Sequence, residues 1–162
     1  MRKIVVFLVA FCALQMNVVA QKNSAEIIAQ IKGLKTVGSV LYFAAHPDDE
    51  NNSFLPYLTK ERNLRTAYLS LTRGDGGQNL IGKEQSIELG MIRTQELLAA
   101  RMQDGAEQYF STAYEFGYSK SAKEALAIWD HQKVLSDVVW VIRKFQPDII
   151  ITRFPGDARA GH

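Results

Sequence analysis

The sequence predicts an α/β fold, Rossmann-like, in which helices flank a largely parallel β-sheet. From about residue 37 onward, short apolar runs alternate with longer amphipathic segments. The order strand, helix, strand, long helix, helix, strand is typical of parallel sheets, whose strands are joined by helical crossovers. With 162 residues, 47% hydrophobic and 22% charged, the composition is that of one ordinary globular domain.

The strands are predicted from short apolar runs. Residues 39–45 (SVLYFAA) form a nearly continuous run, which is typical of a strand covered on both faces. Residues 65–72 predict a second strand and residues 148–152, directly after Pro147, a third. A shorter strand is predicted at residues 107–111.

Helices are predicted from apolar spacing and from their end signals. Residues 51–62 are expected to be helical, with Asn51, Asn52 or Ser53 as the N-cap. A long helix is expected at residues 85–104, ending at Gly105. Its apolar stripe is Ile87, Met91, Leu98 and Met102. The segment 114–130 contains a short helical pattern, and residues 133–146 predict an amphipathic helix with one apolar face: Val134, Val138, Val141, Ile142 and Phe145.

The first twenty residues have the three-part layout of a secretory signal peptide. Arg2 and Lys3 precede an apolar run at residues 4–14, and small residues end the segment at Ala20. The run is shorter than the ~20 residues that span a bilayer, so a membrane anchor is not expected after cleavage. A buried N-terminal strand or helix is the alternative. The expected organisation is a signal peptide at 1–20, a lead-in at 21–36 and an α/β domain at 37–162, in a protein exported to the periplasm or the extracellular space.

Charge and cysteine usage exclude several classes of protein. Cys12 is the only cysteine and lies in the predicted leader, so neither disulfides nor thiolate ligands are expected in the mature chain. Without Arg2 and Lys3, the remaining Lys and Arg residues balance the 17 Asp and Glu. This neutral composition gives no footprint for nucleic acid. The sequence does not indicate an oligomeric state.

The predicted topology brings three polar loops to one edge of the sheet. Ligands of open α/β sheets bind outside the carboxyl ends of the strands. Residues 46–50, 73–82 and 153–162 follow the three strong strands. The site is therefore expected in these loops.

The first of these loops has the composition of a metal site. His46 is followed by Pro47, which stiffens the turn, and by three acids, Asp48, Asp49 and Glu50. Imidazole and carboxylate are good zinc ligands, and this turn allows His46 and Asp49 to face one ion. An acidic helix N-terminus, favoured by the helix dipole, is the alternative interpretation.

The string His46-Pro47-Asp48-Asp49-Glu50 resembles the signature of the PIG-L/LmbE-like zinc N-deacetylases, which act on N-acetylglucosaminyl groups. Three weaker matches follow in order: LTRGDGG at residues 71–77, RTQE at 93–96 and PDIIIT at 147–152. The resemblance covers roughly residues 40–162. It implies zinc as the cofactor, an N-acetylated amino sugar or glycan as the substrate, and hydrolysis by activated water.

The resemblance also implies residue roles. His46 and Asp49 match zinc ligands, and Asp48 matches the general base. His162 matches a histidine that stabilises the oxyanion or protonates the leaving amine. The third ligand of the family falls three residues beyond His162, although another register makes His162 that ligand. Many relatives have tyrosine where this chain has Ala160.

The substrate side is implied by two further matches. Arg93 matches a position that contacts the sugar, and Gln78 one that can do so. An ion pair of Arg93 with Glu96, one helical turn away, is the alternative, and the two roles are compatible. Glu50 is expected to support the loop or to cap a helix.

The chain end predicts a truncation. Gly161 and His162 follow a loop directly, so we expect the domain to be incomplete at its C-terminus and inactive by itself. Other interpretations are a phosphate-binding α/β domain, a metal-dependent phosphoesterase and an exported carbohydrate-binding or inactive deacetylase-like module. The glycines of 74–77 do not form a P-loop or a dinucleotide fingerprint, which argues against the first.

Overall fold

A computed structural model describes residues 23–154, which form a four-stranded sheet flanked by helices. The strand order is β3-β2-β1-β4, and every neighbouring pair is parallel. The predicted α/β fold is therefore confirmed. The signal peptide expected at residues 1–20 lies outside the described residues. The strands are β1 (Ser39–Ala44), β2 (Arg65–Ser70), β3 (Glu107–Phe110) and β4 (Ile149–Thr152).

The register places the carboxyl ends of all four strands at one edge. Ser39 pairs with Arg65 and Ala44 with Ser70, so β1 and β2 begin and end together. On the other side of β1, Val40 pairs with Ile149. β1 is central and almost wholly buried, which agrees with its continuous apolar run. β4 is an edge strand within the described part of the chain, and it is largely exposed there.

The helices occupy both faces of the sheet. Their bounds are α1 (Ser24–Gly33), α2 (Phe54–Pro56, continuing as a π-helix over Tyr57–Glu61), α3 (Ile87–Asp104), α4 (Ala122–Trp129) and α5 (His131–Phe145). Ser53, one of the three predicted candidates, is the N-cap of α2, and the side chain of Asn51 accepts hydrogen bonds from the amides of Ser53 and Phe54. None of the helices found between residues 23 and 154 combines the length and apolar character needed to cross a membrane.

Helix α5 packs as the sequence predicts. Val141 and Phe145 are buried against Leu41, Ala67 and Leu69 of the sheet, and Val138 and Ile142 pack at the margin of this cluster. The opposite face of the sheet contributes Tyr42 and Tyr68 to a second cluster. Leu55 of α2 and Leu97 of α3 complete the second cluster. The two clusters place α5 on one face, with α2 and α3 on the other.

Helix α3 is rotated from the orientation that its apolar stripe suggests. Ile87 and Met102 are 75% and 83% exposed, and Met91 and Leu98 are also exposed in the described part of the chain. The buried side of the helix instead carries the following residues: Leu89, Gly90, Leu97, Arg101 and Asp104. An arginine thus faces the sheet because it finds carboxylate partners there, as described below. Gly105 ends the helix in the left-handed conformation (φ 82°), as expected.

Candidate active site

The loop after β1 folds back on itself and brings His46 and Asp49 together. The amide of His46 donates to Oδ2 of Asp49 at 2.9 Å. Asp49 Oδ2 also lies 3.3 Å from Nδ1 of the His46 ring. Pro47, between them, favours this tight turn because its ring fixes φ. The two residues matched to metal ligands are therefore in direct contact.

Glu115 is the site residue that the sequence analysis missed. Its Oε1 lies 3.0 Å from Nε2 of His46, on the ring edge opposite Asp49. Glu115 belongs to the loop that follows β3, and its amide donates to Asp75 of the neighbouring loop at 3.3 Å. The sequence order of the predicted strands could have indicated this residue. A fourth parallel strand at residues 107–111 delivers a fourth loop to the same edge.

The two carboxylates control the protonation of His46. The hydrogen bond to Asp49, followed by that to Glu115, raises the pKa of His46 to about 10 against the opposing effect of burial. In return, the hydrogen bond from His46 holds the pKa of Glu115 below its usual range. Two carboxylates beside an imidazole stabilise a positive charge at this position, either a proton on the ring or a metal cation bound to it.

Asp48 points away from this pair and meets Arg93. Its side chain is 73% exposed, and its Oδ2 lies 3.3 Å from Nη2 of Arg93 on α3. Arg93 is mostly buried, and its Nε has no hydrogen-bond partner within residues 23–154. Within residues 23–154, Arg93 thus forms an ion pair with Asp48 and not with Glu96.

Glycines make room for these side chains in the loop after β2. Gly74 has φ +70°, and a Cβ there would lie 3.0 Å from both Arg93 Cδ and Pro47 Cγ. A Cβ on Gly76 would approach Cβ of Glu115 to 2.4 Å. The loop lies close over the site because these positions lack side chains.

A cavity of about 230 Å³ results. It is lined by His46, Pro47, Asp48, Gly74, Gly77, Arg93 and Glu115. Residues from three strand-end loops and from α3 therefore converge on one small space at the carboxyl edge of the sheet. Asp48 is 73% exposed, so the cavity is accessible to solvent at this residue.

The remaining predicted residues fall elsewhere. Gln78 is exposed beside Gly77 and does not line the cavity. Glu50 is buried, and its Oε1 lies 3.3 Å from Nη2 of Arg101, so it supports the loop from below. His162 and Ala160 lie outside the described residues. The roles assigned to these positions stay predictions.

His46 and Asp49 could provide part of the ligand set of a divalent metal ion. His46 and Asp49 are an imidazole and a carboxylate, the ligand types that zinc prefers. Residues 23–154 contain no group of three or more His, Cys, Asp or Glu side chains arranged to hold an ion. A catalytic zinc site ordinarily has three protein ligands, so this pair supplies part of a set.

Fold and site together define an α/β protein with a polar, histidine-containing centre at the carboxyl edge of a parallel sheet. The family model described as PIG-L, GlcNAc-PI de-N-acetylase, matches residues 41–162. The chain belongs to this family of N-deacetylases, whose members are typically metal-dependent. The resemblance inferred from the first loop is thereby confirmed.

One solved structure supports the fold, and others are similar to a lesser degree. The chain superposes on the N,N'-diacetylchitobiose deacetylase of Pyrococcus horikoshii with a TM-score of 0.54 and 21% identity, covering 89% of this chain and 48% of that one. The hydratase GalB of Pseudomonas putida KT2440 has 0.49 and 21%, with coverages of 70% and 46%. A deacetylase from teicoplanin biosynthesis has 0.49 and 14%, with coverages of 70% and 54%. The chain thus spans about half the length of these structures. A search of curated proteins gives no match.

Proposed function

We propose that this chain carries the first part of a zinc-dependent active site that removes the N-acetyl group from an N-acetylglucosamine-type sugar or glycoconjugate. The observation that carries the proposal is the convergence of His46, Asp48 and Arg93 on one cavity, with Asp49 in contact with the His46 ring. Membership in a family of N-deacetylases supports the same reaction.

The metal would be held by His46 and Asp49, with a further ligand contributed from outside residues 23–154. When bound, zinc polarises an amide carbonyl and makes water acidic enough to react near neutral pH. For that ion to bind, the His46 ring must lose the proton that its two carboxylate neighbours favour. Glu115 keeps the ring oriented through Nε2 while Asp49 remains on the Nδ1 side.

Asp48 is suited to accept the proton of the attacking water. It is the most exposed carboxylate lining the cavity, and its contact with Arg93 fixes its direction. Proton transfer by a positioned side chain typically contributes ~10²–10⁴-fold to the rate. His162, in the role that the resemblance implies, would stabilise the oxyanion or protonate the departing nitrogen.

The size and polarity of the cavity favour one sugar residue. Its volume of about 230 Å³ is smaller than the ~300–1,000 Å³ of typical drug-sized pockets. Arg93 lines the cavity and is the proposed contact for a sugar oxygen through its terminal guanidinium nitrogens, since its Nε is covered by protein atoms. Gln78, exposed beside Gly77, is the second proposed contact and would reach the substrate from the rim.

Export is part of the proposal. The basic start, the apolar run and the small residues before Gln21 indicate a cleavable leader. The substrate is then a glycan outside the cytoplasm. Removal of residues 2–20 should keep the protein in the cell, which fractionation and immunoblotting would detect. Unchanged export of that variant would overturn this part.

The reaction is tested with the complete protein that contains this chain. We expect release of acetate from N-acetylglucosamine oligosaccharides and no release of phosphate from 4-nitrophenyl phosphate. Asp48→Asn should lower kcat by about 10²–10⁴-fold while zinc content stays the same. Asp148→Asn, at the other end of the sheet, is the matched control and should leave kcat unchanged. Phosphate release without acetate release would replace the proposal with a phosphoesterase.

A further inference from the structure

Arg101 is a charged residue buried directly beneath the loop of residues 46–50. It is 5% exposed and lies on the last turn of α3, on the side that faces the sheet. Its Nε donates to Asp104 at 2.9 Å, and its Nη2 donates to Glu50 at 3.3 Å. Glu50 is the last residue of that loop. The guanidinium therefore ties one end of the loop to α3.

Tyr68 ties the other end. This residue of β2 is fully buried, and its hydroxyl donates to the carbonyl of His46, the first residue of the loop. The Arg101 guanidinium lies over the Tyr68 ring, 5.4 Å from its centroid. Gln108 connects the two residues, because it accepts from Arg101 Nη1 at 3.3 Å and donates to the Tyr68 carbonyl at 3.3 Å.

Stability alone does not explain this arrangement. Buried ion pairs contribute little net stability compared with well-packed apolar residues, because both charges must be desolvated. Here Glu50 and Arg101 are both desolvated, and Oε2 of Glu50 accepts no hydrogen bond within residues 23–154. Such contacts are directional, however, and two of them, from Arg101 to Glu50 and from Tyr68 to His46, end on the loop of residues 46–50.

We propose that Tyr68 and Arg101 are positioning residues that hold the two ends of the loop of residues 46–50, and thereby set the geometry of His46 and its carboxylate partners. The inference rests on the proposed function for its catalytic consequence. Outer partners of metal-binding residues typically affect affinity or activity by ~10–100-fold, although they touch neither metal nor substrate. Neither Tyr68 nor Arg101 lines the cavity.

The test uses Tyr68→Phe in the complete protein, because this change removes only the hydroxyl. Tyr42→Phe is the matched control. Tyr42 is also buried, on β1 beside Tyr68, and donates no hydrogen bond to residues 46–50 within the described chain. Glu50→Gln is the second variant, which keeps the shape of the side chain and removes its charge. Thermal unfolding of each variant shows whether the fold is retained.

Two readouts separate positioning from a merely structural role. Amide hydrogen exchange at His46 and Asp49, measured without metal, should become about threefold to tenfold faster in Tyr68→Phe, as expected for the loss of one net hydrogen bond. With zinc bound, kcat for acetate release should fall about 10–100-fold, with KM changed much less. Tyr42→Phe should match the parent in both.

The possible outcomes are distinct. Tyr68→Phe and Glu50→Gln that match Tyr42→Phe in loop exchange would overturn the positioning role, whatever the activity. Faster loop exchange with unchanged kcat would also overturn it. A parent protein that releases no acetate would refute the proposed function, whereas the exchange measurement would still decide whether Tyr68 holds the loop.

Discussion

The two ends of the same parallel sheet use polar side chains in opposite ways. At the amino end, Ser39 of β1 donates from its hydroxyl to Asp148, just before β4, at 2.8 Å. Arg65 of β2 donates to Glu107 of β3 at 2.7 Å. Each contact joins neighbouring strands. At the carboxyl end, side chains from separate loops converge on a cavity instead.

The difference lies in how completely the polar groups are matched. Arg65 and Glu107 satisfy each other in a pair that is about half exposed, and such surface pairs contribute ~0–1 kcal/mol. At the carboxyl end, His46 meets two carboxylates, and Arg93 has an Nε without a partner within residues 23–154. The side chains of His46 and Asp48 are partly exposed and therefore accessible to a ligand, whereas the Nε of Arg93 is covered by protein atoms. Substitutions at the carboxyl end should therefore change activity, and those at the amino end should change stability.

After the loss of kcat expected for Asp48→Asn, the next largest effect at the carboxyl end is expected for Glu115→Gln. The amide cannot provide the negative charge that faces Nε2 of His46, so the ring loses one of its two orienting partners. We expect kcat for acetate release to fall about 10–100-fold, with little change in melting temperature. Glu96→Gln, on the exposed side of α3, is the control. Equal kcat values in the two variants would show that Glu115 has no role in the reaction.

A smaller effect is expected for Gly74→Ala. The methyl group would lie 3.0 Å from both Pro47 and Arg93, and alanine is strained at φ +70°. The strain costs about 1–3 kcal/mol, and displacement of Arg93 should raise KM. Gly117→Ala separates the two causes, because Gly117 also has positive φ (86°) but has no neighbour within 4 Å of an added Cβ. If both variants lose stability and neither changes KM, the contact with Arg93 has no role in binding.

The sequence predicted those features that are local along the chain. Strands β1, β2 and β4 follow from short apolar runs, and the approach of His46 to Asp49 follows from a tight five-residue turn. Contacts between distant segments were not accessible in this way. Glu115 reaches His46 only because β3 adds beside β2, and β3 is a four-residue strand of half-buried residues with a weak signal.

Helix α3 shows a second limit of sequence patterns. Periodicity identified the helix and the stripe that contains Ile87 and Met102, but it did not indicate which side faces the sheet. That choice depends on Arg101, whose burial is possible because Glu50 and Asp104 lie within reach of its guanidinium. Hydrophobic spacing treats an arginine as an outward residue, so a buried ion network reverses the expectation.

The smallest effect is expected for Asp148→Asn, at the amino end of the sheet. The hydroxyl and then the amide of Ser39 hold the pKa of Asp148 below its ordinary value. A carboxylate with a lowered folded-state pKa stabilises the fold above its unfolded pKa, and this stabilisation disappears as pH falls through the folded pKa. The substituted side chain would keep a hydrogen-bond acceptor but lose the charge. In urea unfolding, the parent should therefore exceed the variant in stability at about pH 6, and the difference should shrink toward about pH 2–3.

Glu96→Gln corrects for the general effect of removing one negative charge. Because Ser39 and Asp148 lie at the amino end of the sheet and the cavity lies at the carboxyl end, kcat should be the same in parent and variant. A loss of kcat without a loss of stability would mean that the two ends of the sheet are not separate in function.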